Sequence, residues 1–423
     1  MKPVPRRAQT ISGSWTPWRT VVVFGLVSLA ADMVYEGMRA MSGPLLGSVG
    51  ASALTVGVVT GAGEGIALIL RLGTGVWADR AANHWRLTVV GYAMTAVCVP
   101  LLAFTPFLGA AGLAVAATLI LLERTGKAVR SPAKSALLAR MARSTGRGQG
   151  FAVHKALDQV GAFLGPLLLA AMAALTGVLW PGFAVLAVPG ALSLVLLALL
   201  YRRAPITAPA EPEDAESSTV GVPAVAARPG GVLRAIGRAA VGRDLPASFH
   251  LFSLSAALTT AGLMTFGVIS FRFVQDGVVT AAAVPLVYAL AMAVEALAAL
   301  ATGRLFDRRG GGVLLLVPPL VAIVPFCVFT DRLWLVLAGV VVWGFATGVQ
   351  DSTVKAFVAD LVPGARRATA YGVFAAVQGI GALIGGAVAG ALAEHHVLVL
   401  GVVVVALQLV AWLILRGVTL AKR

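Results

Sequence analysis

The sequence predicts an all-α membrane protein whose twelve transmembrane helices form two six-helix halves that repeat one another. Three observations carry this. The 423-residue chain is 59% hydrophobic and only 12% charged, against about 25% charged in a soluble domain, so it lacks the polar skin a water-facing surface requires. Its apolar runs reach the roughly 20 residues that a spanning helix needs. Its basic residues gather in alternate loops, the pattern that orients helices in a bilayer.

Gly, Pro and charge clusters divide the first half into spans at 20–43, 53–78, 86–105, 111–140, 150–175 and 180–201. The second half gives 248–273, 281–303, 312–330, 332–358, 369–392 and 396–416. Arg6, Arg7 and Arg19 precede the first run in the manner of a signal peptide. That run is too long for one and contains Asp32, Glu36 and Arg39, so it is read as the first spanning helix. Between the halves, 202–246 is rich in Ala, Pro, Glu, Ser and Arg, which predicts a flexible linker joining 1–201 to 247–423. Within it, Val232–Arg243 has some tendency toward an amphipathic surface helix.

Loops holding Arg80/Arg86, Arg140/Arg143/Arg147, Arg202/Arg203, Arg308/Arg309 and Arg366/Arg367 fall on the side of the termini, with Lys422/Arg423. The other side has only Arg332 in its loops. Both termini are therefore expected in the cytoplasm of a multi-pass inner-membrane protein. The net charge of +15 is spent on this orientation, without interleaved aromatics, so nucleic-acid binding is not expected. Cys98 and Cys327 each sit within an apolar run and are read as packing residues. No phosphate-cradling loop or metal-ligand spacing is present, so no cofactor, metal or enzymatic activity is expected.

The halves share motifs at fixed offsets. Gly75-Val-Trp-Ala-Asp79-Arg80 matches Gly303-Arg-Leu-Phe-Asp307-Arg308, 228 residues on. The segment from Asp158 through Gly161 to Gly165 matches Gln378 through Gly381 to Gly385, 220 residues on. Parallel repeats of this kind place a binding site at the interface of the halves, near the bilayer midplane.

These residues resemble the major facilitator superfamily over nearly the whole chain. Gly75, Asp79, Arg80 and, more completely, Gly303, Asp307, Arg308 match the family's loop motif, while Ala81–Arg86 departs from its basic tail. The resemblance implies that this loop is a cytoplasmic latch. Gly161, Gly165 and Pro166 are similar to the Gly-x-x-x-Gly-Pro motif of drug-exporting members, which implies export. The run Glu123–Lys134 is similar to a segment of a bacterial branch that also carries Asp-x-x-x-Glu in its first helix, here Asp32 and Glu36.

Ionisable residues at membrane depth cost about 2.5–3.5 kcal/mol on insertion scales and so mark partners or wet cavities. Asp32, Glu36 and Arg39 share one face of the first helix, and Glu64 and Arg71 share one face of the second. Glu123, Lys127, Arg130 and Lys134 form a stripe on the fourth. Burial disfavours the charged form of a carboxylate, so Asp32, Glu36, Glu64 and Asp158 are the candidate proton-coupling groups. Tyr35, Arg39, Arg71, Glu123, Lys127, Arg130, His154, Glu295, Asp351 and Lys355 are the candidate substrate ligands. A blander reading makes Glu36–Arg39, Glu64–Arg71 and Asp351–Lys355 ion pairs that pin helices, with His154 hydrogen-bonded near a helix end and Tyr288 and Trp343 packing. The expectation is a monomeric, proton-coupled antiporter exporting a small organic molecule by alternating access. Its rivals are a symporter or uniporter of the same fold carrying an organic anion or metal chelate, and a membrane enzyme or receptor that transports nothing.

Overall fold

A computed structural model describes residues 15–81, 84–143, 145–203, 245–363 and 366–421, without the side chains of Leu72, 75–81, Arg147, Lys355 and Ala368. Arg6, Arg7, most of the linker with Val232–Arg243, and Lys422/Arg423 lie outside the described residues. All regular structure within them is helical. The first half comprises α1 (Pro17–Ser48), α2 (Ala53–Ala81), α3 (His84–Leu101, continued as 3₁₀ turn to Phe107), α4 (Gly112–Met141) and α5 (Arg147–Thr176). α6 (Trp180–Val185) and α7 (Ala187–Arg203) together make its sixth crossing.

The second half opens with α8 (Ala247–Leu263) and α9 (Phe266–Gln275), which share the seventh crossing. α10 (Val284–Arg309) leads through the 3₁₀ segment Gly310–Leu316 into α11 (Val317–Val328), followed by α12 (Leu333–Leu361), α13 (Arg367–Ala393) and α14 (Val397–Ala421). Eleven described segments are long and apolar enough to cross a membrane. One of them, Val284–Val328, has 45 residues, more than twice the roughly 20 that one crossing needs. It breaks at Gly310, where φ is +59°, and supplies two crossings, which gives the twelve the sequence predicts.

The bundle is apolar outward and polar inward. Leu175, Val188, Leu297 and Leu398 stand exposed on the outside, while Glu123, Arg124, Arg130 and His154 are buried. This inversion suits a hydrocarbon solvent, where backbone groups are satisfied within helices and charges turn toward one another.

Small residues set the helix contacts. A Cβ on Gly161 or Gly165 of α5 would strike the carbonyls of Leu29 and Met33 in α1, and one on Gly381 or Gly385 of α13 those of Ala257 and Ala261 in α8. Leu29 and Ala257 are 228 apart, as are Met33 and Ala261, so the sequence offsets reappear as pseudo-symmetric packing. The halves meet along α2 and α13, where Gly57, Gly61 and Gly65 face Gly379, Ala382, Gly386 and Gly390, and along α5 and α10.

At the end of the bundle away from the termini, the halves are tied by hydrogen bonds. The Ala53 N–H of the first half donates to Glu394 Oε2 (3.4 Å), and within the second half Arg272 donates to the Glu394 carbonyl (3.3 Å). Thr60 and Thr265 share a hydroxyl contact of 2.7 Å. Arg272 also lies at this distal end, paired to Asp276 at 2.8 Å. It sits in the last turn of α9, too near the helix end to reach the centre.

The expected continuous helix 248–273 is broken at Met264, whose φ is +55°. The break frees the carbonyls of Leu263 and Met264, and the Trp343 indole N–H donates to both, at 3.0 and 3.2 Å. Trp343→Phe keeps the bulk and removes the donor. It is expected to lower stability by about 1–2 kcal/mol, read by thermal unfolding of the purified protein, and an unchanged midpoint would show that these carbonyls find other partners.

Candidate binding and coupling site

Tyr35 is the centre of the polar interior. Its ring is 2% exposed and lies against three cations: the Lys127 ammonium 3.3 Å from the centroid, the Arg124 guanidinium at 4.7 Å and the Arg39 guanidinium at 5.8 Å. The ring's negative face attracts them, and Arg124 also donates to the Tyr35 hydroxyl. α1 and α4 supply these groups.

Carboxylates balance the cations. Glu36 pairs with Arg39 at 3.2 Å, Arg39 with Glu64 at 3.2 Å, and Arg124 with Glu64 at 3.4 Å and with Glu123 at 3.9 Å. The belt reaches the other half through Tyr288 of α10, whose hydroxyl donates to Glu36 Oε2 at 2.6 Å. Glu36 is thus shared between a salt bridge within the first half and a hydrogen bond across the interface.

A second layer lies behind α4. Glu123, with no exposed surface, accepts from Thr95 at 2.9 Å and lies 4.0 Å from Arg130. Arg130 donates to Thr95, covers the Tyr92 ring at 4.8 Å and stands 3.9 Å from Asp32. Ser28 joins Tyr92 (2.9 Å) to His154 Nε2 (3.1 Å), and Asp158 lies 3.7 Å from the same nitrogen and 3.4 Å from Lys134. Serine, histidine and aspartate meet here without forming a nucleophilic triad. A triad needs the carboxylate on one ring nitrogen and the hydroxyl on the other, whereas here both use Nε2 and Nδ1 has no partner.

The expected helix-4 stripe therefore divides three ways: Lys127 toward Tyr35, Glu123 and Arg130 toward α3, and Lys134 toward α5. The Glu36–Arg39 pair forms, but Glu64 takes Arg39 and Arg124 in place of Arg71. The two-turn spacing that puts Glu64 and Arg71 on one face also holds them about 10 Å apart along the axis. Glu295 and Asp351 lie outside the belt, and Asp351 is exposed. Asp351 is within electrostatic reach of Glu295 and of Arg71 in the other half.

The side chains of Gly75–Arg80 and of Lys355 lie outside the described residues. Asp307 and Arg308 are exposed at the termini end, and Gly303 has open space around it. Among the described residues, no three His, Cys, Asp or Glu side chains are grouped to hold a metal ion.

Arg124, Thr95, Tyr92 and Ser28 are contributors that the sequence reading passes over, and Tyr288, read there as packing, donates to Glu36. Arg124 is detectable, since Arg124, Lys127, Ser131 and Lys134 form an equally good helical stripe one register away. Tyr288 carries a weaker signal, a lone hydroxyl in an apolar run.

A family model described as Major Facilitator Superfamily matches residues 24–329 and 254–423. An uncharacterized protein of Mycobacterium tuberculosis is 48% identical over 408 residues, covering 96% of this chain and 94% of the other. An uncharacterized MFS-type transporter of Methanocaldococcus jannaschii is 25% identical over 387 residues, 88% of each. The nucleoside transporter NupG, in a mutant form, superposes with a TM-score of 0.72 at 14% identity, covering 94% of this chain and 99% of that one. A D-xylose-proton symporter does so at 0.65 and 14%, covering 93% and 96%.

Proposed function

The chain belongs to the Major Facilitator Superfamily, and on that premise we propose that it is a proton-coupled antiporter exporting a small organic molecule by alternating access. The observation that carries the proposal is the position of Glu36, held by Arg39 in one half and by Tyr288 in the other. Proton uptake by Glu36 removes the charge that holds Arg39, leaves Arg39 to Glu64, and deprives Tyr288 of its ionic acceptor. The tie between the halves weakens in the same step. A substrate group that displaces Arg39 or Tyr288 competes with that proton, and such competition is exchange. Asp32, Glu64 and Asp158 complete the coupling set, each within 4 Å of a cation that its protonation would release.

In this reading 1–201 and 247–423 rock as units joined by the linker 202–246, and the protein works as a monomer. Both termini face the cytoplasm of the inner membrane, so the distal tie at Glu394 closes the outer side and the site opens inward. Gly75, Asp79, Arg80, Gly303, Asp307 and Arg308 act as the cytoplasmic latch, and Gly161, Gly165 and Pro166 allow α5 to lie close on α1.

The test uses energised inverted vesicles holding the protein and pools of antibiotics, metabolites and metal chelates. Substrate-dependent collapse of the pH gradient is expected, absent from vesicles lacking the protein, and lost in Glu36→Gln while the variant's thermal unfolding is retained. Normal coupling in Glu36→Gln would remove that residue from the mechanism. The three cations at Tyr35 favour a second reading, symport or uniport of an organic anion, which uptake that leaves the gradient intact or builds with it would support.

A further inference from the structure

Every carboxylate of the first-half site has a cation within 4.0 Å: Asp32, Glu36, Glu64, Glu123 and Asp158. The cations outnumber them. Arg71 is not ion-paired among the described residues, and its Nε is buried with no hydrogen-bond partner. The second half holds the reverse case. Glu295 of α10 has no ion pair among the described residues, and its Oε2 is buried and unpartnered.

The two orphans sit at one depth. α2 and α10 both run from the distal end toward the termini end. Arg71 follows Glu64 by seven residues, and Glu295 follows Tyr288 by seven. Each is therefore two turns, about 10 Å, beyond the Tyr35–Glu36–Glu64 belt, one in each half, and the exposed Asp351 is within electrostatic reach of both. They do not pair with each other. An arginine and a glutamate without ion pairs at membrane depth are costly to keep unless a ligand completes both.

We infer that the transported molecule is a zwitterion held between the halves, its anionic group at Arg71 and its cationic group at Glu295. This rests on the transporter reading above. A monoanion would leave Glu295 uncompensated, a monocation would leave Arg71, and a neutral molecule would leave both. A zwitterion satisfies each half with one end, so its binding draws the halves together.

The test measures binding of a ladder of ω-amino acids, β-alanine to 8-aminooctanoate, with their N-acetyl and methyl ester forms, to the purified protein in lipid nanodiscs. One chain length is expected to bind best, with both blocked forms at least about tenfold weaker, the worth of one charge-assisted hydrogen bond. Arg71→Gln should erase the preference for acid over ester, and Glu295→Gln the preference for free amine over N-acetyl. Where a single variant folds poorly, the transposed pair Arg71→Glu with Glu295→Arg should keep both preferences. Equal binding of parent and blocked forms, discrimination that survives both variants, or no binding along the ladder overturns the inference. A transported compound of single or no charge in the vesicle pools would also overturn it while leaving transport standing. Selective zwitterion binding without any transport would instead remove the transporter reading and keep the site.

Discussion

Arg124→Ala is expected to lower the stability of the first half by on the order of 3–5 kcal/mol, the usual result of removing one partner from a buried ion pair. Arg124 is 4% exposed and serves three groups at once: Glu64 at 3.4 Å, Glu123 at 3.9 Å and the Tyr35 hydroxyl. Its loss leaves Glu64 with Arg39 alone and Glu123, which has no exposed surface, with the distant end of Arg130. Arg124→Lys should recover only part of the loss, since an ammonium is a single point charge and cannot fork between two carboxylates and a phenol. Arg124→Ala combined with Glu64→Gln should recover more, because it removes the uncompensated charge. The measurement is thermal unfolding of purified protein in nanodiscs. An Arg124→Ala midpoint equal to wild type would show that the belt contributes nothing to the fold and that its charges are held for the ligand alone.

The fold was largely legible because a bilayer leaves few options. Shortage of charge excludes a water-facing surface, length fixes the number of crossings, and the offset between Gly75 and Gly303 is the one that relates Leu29 to Ala257 in space. The break at Met264 was not legible. Gly262 and Gly267 flank it, but glycines recur throughout these helices without breaking them, and the break is held by a tryptophan 80 residues away in sequence, a tertiary cause that no local pattern reports.

The site was legible in its residue types and less so in its pairings. Spacing identifies which charges share a helix face, but the partner lies on another helix, so Glu64 went to Arg39 and Arg124. The repeat clarifies why the charges crowd into one half. At the 228 offset, Asp32 and Glu36 correspond to Thr260 and Met264, and at the 220 offset Asp158 corresponds to Gln378. Gln378 donates to Thr260 at 3.2 Å, a neutral copy of the layer in which Asp32 and Asp158 stand. In the proposed antiport, a duplicated architecture that keeps this acidic pair in the first half alone confines proton uptake there, while Tyr288 carries the consequence to the other half.

Gly386→Val is expected to open the distal end. A Cβ there would strike the Gly57 carbonyl and lie 2.8 Å from the Gly61 Cα, so the closed contact of α13 on α2 cannot form without separating the backbones. Inserting carbon into a tight contact costs about 1–3 kcal/mol. If the cost falls on the distal-closed state alone, the equilibrium shifts by roughly 5- to 150-fold toward the open one. It should fall there, because this contact lies at the same end as the Ala53–Glu394 and Thr60–Thr265 hydrogen bonds, all of which rocking would separate together. Spin labels on Leu175→Cys and Leu333→Cys, exposed on the two halves near the distal end, in a background lacking Cys98 and Cys327, would report the separation. A longer distance with retained melting and lost exchange is the expected result. An unchanged distance with a lowered melting point would mean that α2 and α13 stay in contact throughout the cycle and act as its pivot, and the distal closure would then rest on the hydrogen bonds at Glu394 and Thr265.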